Sequence, residues 1–108
     1  MKLASDAIIA TAKMANYLLK WRPENDKSGF LAQAGYDSGQ VNRLIEDIRS
    51  QLLPLEAAFE EKTEYGDKYR IIGDLTGPNG RNLKVASVWM VENTGATKFL
   101  TLYPVKER

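Results

Sequence analysis

No cysteine and no histidine occur among these 108 residues. The first absence excludes a disulfide scaffold and thiolate metal ligation, and the second removes both the commonest metal ligand and the usual general base of neutral pH. No metal site and no bound cofactor are therefore expected. Proline is scarce, with four residues, while 44% hydrophobic and 27% charged residues match a folded chain and not a low-complexity one. Long apolar runs are lacking as well: Lys13, Asn16, Lys20 and Arg22 interrupt the most apolar stretch, so no bilayer span is expected. The opening Met1-Lys2-Leu3-Ala4-Ser5-Asp6 carries a lysine but is followed by no apolar block of signal-peptide length. These features predict an aqueous setting, the cytosol.

A strong charge of either sign is also missing, since the net charge is +1. It is unevenly spread. Residues 1–61 hold seven Lys/Arg against nine Asp/Glu, and residues 62–108 hold eight against five, giving −2 and +3. A protein that coats nucleic acid is more basic than this, so any phosphate contacts should be few, local and C-terminal.

What is present predicts one α+β domain over 1–108, helical over about 5–55 and a sheet over about 57–104. A first helix is expected from a cap at Ser5 or Asp6 to Lys20, with Ile8, Ile9, Ala12, Ala15, Leu18 and Leu19 at helical spacing and Pro23 closing it. Tyr17 and Trp21 are expected to pack that helix onto the core. A second helix over Lys27–Ala34 ends at Gly35. A third begins after Asp37 or Ser38, where Asp37 with Gln40 resembles a capping box, and carries Val41, Leu44, Ile45, Ile48 and Leu52 on one stripe up to Pro54.

From Phe59 the period falls toward two. Strands are expected at Phe59–Thr63, Lys68–Leu75, Leu83–Val91 and Lys98–Tyr103, separated by Tyr65-Gly66-Asp67, Gly77-Pro78-Asn79-Gly80 and Asn93-Thr94-Gly95. The result is three helices followed by a four-stranded antiparallel meander. Alternation puts Tyr69 and Ile71 on one face and Lys68 and Arg70 on the other. In the last strand it sets Phe99, Thr101 and Tyr103 against Leu100 and Leu102. The face away from the helices, expected to be open, then gathers cations, a hydroxyl and a phenol, a combination suited to phosphate chemistry.

The pattern Tyr65-Gly66-x-Lys68-Tyr69-x-Ile71-x-Gly73-x-Leu75-x-Gly77-Pro78-Asn79-Gly80-Arg81, then Val88-Trp89, then Thr101-x-Tyr103-Pro104, resembles an uncharacterised family of small bacterial and phage-associated domains. The likeness runs upstream through Tyr17-Leu18-Leu19, Lys27-Ser28-Gly29-Phe30 and Gly35-Tyr36, covering about residues 8–104. The layout of helices before a meander is in turn similar to the barnase/EndoU/colicin/RelE (BECR) ribonuclease toxin superfamily. That resemblance implies a ribonuclease toxin acting on RNA, tRNA among the candidates. It further implies neutralisation by a cognate immunity or antitoxin protein, and action in the cytoplasm, in some cases after delivery from a larger secreted parent. Carried onto this chain, the catalytic candidates are Lys68, Arg70, Arg81, Thr101 and Tyr103, with Lys27, Lys84, Trp89 and Lys98 as substrate contacts. The chain departs from the superfamily in having no histidine.

The chemistry this implies is attack of a ribose 2′-hydroxyl on the adjacent phosphate without a metal. Arg70 and Arg81 would hold the phosphate, because a guanidinium fork matches two of its oxygens. Lys68 would assist proton movement, while Thr101 and Tyr103 would hydrogen-bond the phosphate or, for Tyr103, stack on a base. Each residue also has a plainer reading. Lys68 and Arg70 suit edge protection, Arg81 suits binding of loop carbonyls, Trp89 suits packing, and Thr101 and Tyr103 suit a strand. Gly77, Pro78 and Gly80 read as structural, since neither the lysine nor the following helix of a phosphate-binding loop is there. Glu60, Glu61 and Glu64 read as a solvated edge. The competing function is a protein-binding module without enzyme activity, such as an immunity, phage accessory or regulatory protein.

Overall fold

Residues 2–11 and 27–105 are described by the structure, a computed structural model. Two short helices, α1 (Lys27–Ala32) and α2 (Val41–Asp47), precede four strands: β1 (Ala58–Thr63), β2 (Gly66–Thr76), β3 (Asn82–Glu92) and β4 (Thr97–Pro104). The strands form an antiparallel meander in the order β1-β2-β3-β4. The expected sheet is thus present, with β2 and β3 each reaching 11 residues. Among the described residues only α1 and α2 stand for the three expected helices.

Helix α1 ends by a mechanism visible in its hydrogen bonds. Gly35, at φ +95°, lets its own N–H reach the Ala32 carbonyl at 3.0 Å and the Tyr36 N–H reach the Leu31 carbonyl at 3.3 Å. This double closure is the Schellman motif, and its usual apolar contact is supplied by Tyr36 and Leu31, both buried in the core. Two more carbonyls of the helix end are met by Asn79: its backbone N–H donates to Ala34 at 3.2 Å and its side-chain amide to Gln33 at 3.0 Å. The β2–β3 turn is therefore fastened to the end of α1. Gly77 is required there, because a Cβ at that position would lie 2.1 Å from the Ala34 carbonyl oxygen.

Before α2, Asp37 caps a single 3₁₀ turn (Ser38–Gln40) by accepting the Gly39 N–H at 2.8 Å. The expected bond to Gln40 is replaced by this shorter loop. After α2 the chain continues as a π-helical turn over Ile48–Leu52, closed by Leu53 N–H to the Ile48 carbonyl at 3.0 Å. That turn packs on β2. Leu44, Ile48, Leu52 and Leu53 meet Ile71 and Leu75 of β2, Leu83, Val85 and Trp89 of β3, and Phe99 and Leu102 of β4 in one core.

Three expectations are corrected. Residues 2–10 contain no helix: Ala4–Ala7 makes a turn, and Ile8 then bridges Lys98 in parallel, donating to Thr97 at 2.7 Å and accepting from Phe99 at 2.8 Å. The outer edge of β4 thus recruits Ile8, tertiary pairing overriding helical spacing. The chain is helical at Thr11, and the rest of the expected first helix, with Tyr17 and Trp21, lies outside the described residues. In β4, a bulge between the pairs Val88–Thr101 and Trp89–Phe99 leaves Leu100 without a partner. One extra residue reverses the parity, so Phe99 and Leu102 both enter the core, and Phe99 does not share a face with Thr101 and Tyr103.

The third correction concerns openness. On the face away from the helices, Ala86, Val88 and Met90 of β3 are only 1%, 8% and 9% exposed. Its centre is shut off from water, and exposure returns at Arg70 and Ile72 of β2. The cause is legible in Val85-Ala86-Ser87-Val88-Trp89-Met90-Val91, which has no alternation and belongs to a strand buried on both sides.

Candidate functional site

The pairing register sets the rows on this second face. Arg70, Val88 and Thr101 form one row across β2, β3 and β4, with Ala58 of β1 beyond Arg70. Ile72, Ala86 and Tyr103 form the next row, and Lys68, Met90 and Lys98 the row on the opposite side. Two strand spacings separate Arg70 from Thr101, about 10 Å between backbones. Val88 lies between them and is only 8% exposed, so this row opens to water at Arg70 and only partly at Thr101. The Arg70 guanidinium has no hydrogen-bond or ion-pair partner among the described residues.

The two lysines of this face are engaged. Glu61, opposite Lys68 in the register, holds its ammonium at 3.1 Å, and Glu92 holds that of Lys98 at 3.3 Å. Thr101 donates weakly to the Leu102 carbonyl at 3.4 Å. Four of the five catalytic candidates, Lys68, Arg70, Thr101 and Tyr103, therefore share a face.

Arg81 does not join them. It precedes Asn82, which pairs with Thr76 at the far end of β2 and β3, and six residues separate Asn82 from Val88, about 20 Å along a strand. The Arg81 N–H donates to the Asn79 side chain at 2.9 Å and its carbonyl accepts from Gly77 at 3.1 Å, while the guanidinium has no partner among the described residues. It lines a groove of about 490 Å³ at this end of the sheet together with Phe30, Asp74, Asn82 and Lys84. Of the substrate contacts, Lys84 thus belongs to the Arg81 end and Lys98 to the Arg70 end, while Lys27 opens α1.

Trp89 is ruled out as a substrate contact because it is fully buried on the core face. Its indole N–H donates to Ser87 Oγ at 2.8 Å, Ser87 in turn donates to the Ile71 carbonyl at 3.3 Å, and Phe99 meets its ring edge-to-face at 5.2 Å.

A polar network on the helical side was not expected. Tyr36 donates to Asp47 Oδ2 at 2.5 Å, and the same oxygen accepts Arg43 Nε at 2.9 Å. Burial, reinforced by the hydrogen bond to Asp47, holds the Tyr36 phenol far above its ordinary pKa, so it remains a donor. Nearby, Gln51 accepts the Thr76 N–H at 2.7 Å and donates to the Thr76 carbonyl at 3.1 Å, closing the last rung of β2. The i,i+4 spacing of Arg43 and Asp47 signals their pair in the sequence, but nothing there points to the tyrosine.

Residues 1–106 match the family described as "Domain of unknown function (DUF6883)". The chain belongs to the DUF6883 family. No curated protein and no solved structure matches it. In this DUF6883 domain the Gly35-Tyr36 and Gly77-Pro78-Asn79-Gly80 segments form the α1–turn junction, and the polar groups of β2 and β4 lie on the opposite side of the sheet. Among the described residues, no helix is long and apolar enough to cross a membrane.

Proposed function

We propose that this DUF6883 domain is a metal-independent endoribonuclease of the toxin type, neutralised by a cognate protein. RNA, with tRNA the first substrate to test, would lie along the β2–β4 side of the second face. The observation that supports this most directly is the row Arg70–Val88–Thr101, with Tyr103 one row away. Arg70 would bind the scissile phosphate through two oxygens at the exposed end of this row. The ribose 2′-oxygen attacks phosphorus as its proton leaves, the P–O5′ bond breaks, and the 5′-oxygen takes up a proton, leaving a 2′,3′-cyclic phosphate. Tyr103 would relay the proton, and the Arg70 guanidinium would offset the charge that develops. Arg81, about 20 Å away along β3, has no part in this step.

The test is incubation of the purified domain with tRNA and total RNA in chelator. Cleavage leaving cyclic phosphate ends is expected, with losses of about 10²-fold or more for Arg70→Ala and Tyr103→Phe and an unchanged rate at saturating RNA for Arg81→Ala. Absence of cleavage, or cleavage indifferent to Arg70→Ala and Tyr103→Phe, would defeat the proposal.

A second reading, a protein-binding module without catalysis, is favoured by the ion pairs themselves. Glu61 and Glu92 neutralise Lys68 and Lys98, so this face presents alternating charge suited to a complementary protein surface.

A further inference from the structure

The groove at the Arg81 end differs in chemistry from the Arg70 row. We propose that it binds a nucleoside monophosphate, either free or as the phosphorylated end of an RNA. The inference rests on the groove's own residues and stands whether or not the Arg70 row cleaves RNA.

Its walls are fixed by backbone. Asp74 and Lys84 face each other in the β2–β3 register, and Val105 donates to the Lys84 carbonyl at 3.0 Å, carrying β4 past its last paired residue. The turn delivering Arg81 is held by its own hydrogen bonds and by Asn79 on the end of α1. The guanidinium is thus presented from a rigid base without a partner among the described residues, the state that suits a phosphate clamp.

Phe30, partly buried against the core, supplies an aromatic wall. The volume of about 490 Å³ falls within the range of small-ligand sites. Asp74 decides the ligand class. Its carboxylate shares the groove with Arg81 and Lys84 and offers an acceptor that a bare anion cannot use, so the fitting ligand brings hydrogen-bond donors as well as a phosphate. Ribose hydroxyls and base amino groups are such donors. Asn82 adds a complementary group: its side-chain oxygen accepts from Thr76 Oγ1, which leaves its amide N–H₂ to donate. One phosphate, one sugar and one flat base together answer Arg81, Asp74, Asn82 and Phe30.

Calorimetry and amide chemical-shift titration with AMP, adenosine and inorganic phosphate test this on the full chain. AMP is expected to bind at least about tenfold more tightly than either fragment, with shifts at Asp74, Asn82 and Lys84. Arg81→Ala should weaken AMP by about tenfold or more, because a charge-assisted contact is lost. Asp74→Asn should narrow the preference for AMP over phosphate. A 5′-phosphorylated dinucleotide binding more tightly than AMP assigns the groove to RNA ends, and equal binding assigns it to free nucleotide. No AMP binding, AMP no tighter than phosphate, or binding unaffected by Arg81→Ala in a variant with an unchanged amide spectrum overturns the inference. Because Arg81→Ala leaves the rate of cleavage at saturating RNA untouched and Arg70→Ala leaves AMP binding untouched, the two proposals fail separately.

Discussion

Tyr36 shows how a single side chain can carry more of the fold than its sequence context signals. Its phenol is buried, donates to Asp47, and lies 3.3 Å from the Thr76 carbonyl. Replacement by phenylalanine keeps the ring but leaves Asp47 with one donor fewer, so Tyr36→Phe should cost about 1–3 kcal/mol in urea denaturation. The pH dependence follows from the raised pKa. A group that holds its proton more tightly when folded contributes fully below its unfolded value, about 10 for tyrosine, and loses that contribution as pH rises beyond it. The domain should therefore lose stability above about pH 10, and Tyr36→Phe should flatten that alkaline decline while lowering stability at neutral pH. A mutant as stable as the parent at pH 7, declining just as steeply above pH 10, would remove Tyr36 from this role. Glu61 offers the contrast. Its pair with Lys68 is exposed, with 57% and 32% of the respective side chains accessible, so Glu61→Ala should change stability by less than about 1 kcal/mol.

Among the elements, the β2–β3 turn has a clear duty: it closes α1 as well as reversing the chain. Gly77→Ala places a methyl against the Ala34 carbonyl, and a loss of about 1–3 kcal/mol is expected. Asn79→Ala removes the donor to Gln33 and the acceptor for the Arg81 N–H, with a similar loss. Thermal melts of both variants check this, and an unchanged midpoint would mean that the turn is not bound to the helix. All four strands were legible because turn residues punctuate them, with alternation along β2 and a continuous apolar run along β3. The β4 bulge was not, since a one-residue slip depends on which partner each residue finds across the sheet, and it moved Phe99 from the polar face to the core. Residues 2–10 misled for a related reason: helical spacing at Ile8 and Ile9 could not announce that the edge of β4 would claim Ile8. In the candidate site, alternation along β2 correctly set Lys68 with Arg70. The position of Arg81 was misjudged because β2 and β3 extend to 11 residues each and hold that turn far from Thr101.

At the scale of the molecule, the charge distribution limits how nucleic acid could be bound. The C-terminal 47 residues carry a net +3, but Lys68 and Lys98 are paired with glutamates, leaving Arg70 and Arg81 as guanidiniums without partners among the described residues. RNA spanning both ends of the sheet would displace counterions at about two phosphates. With single strands contributing about −0.7 per phosphate, the slope of log K against log salt should be near −1.4. Removing either arginine should reduce its magnitude by about 0.7, and removing both should bring it close to zero. Fluorescence anisotropy of a short labelled RNA across a salt series measures this directly. A slope several times steeper, unchanged in the double variant, would place the RNA on another surface and separate binding from both sites argued above.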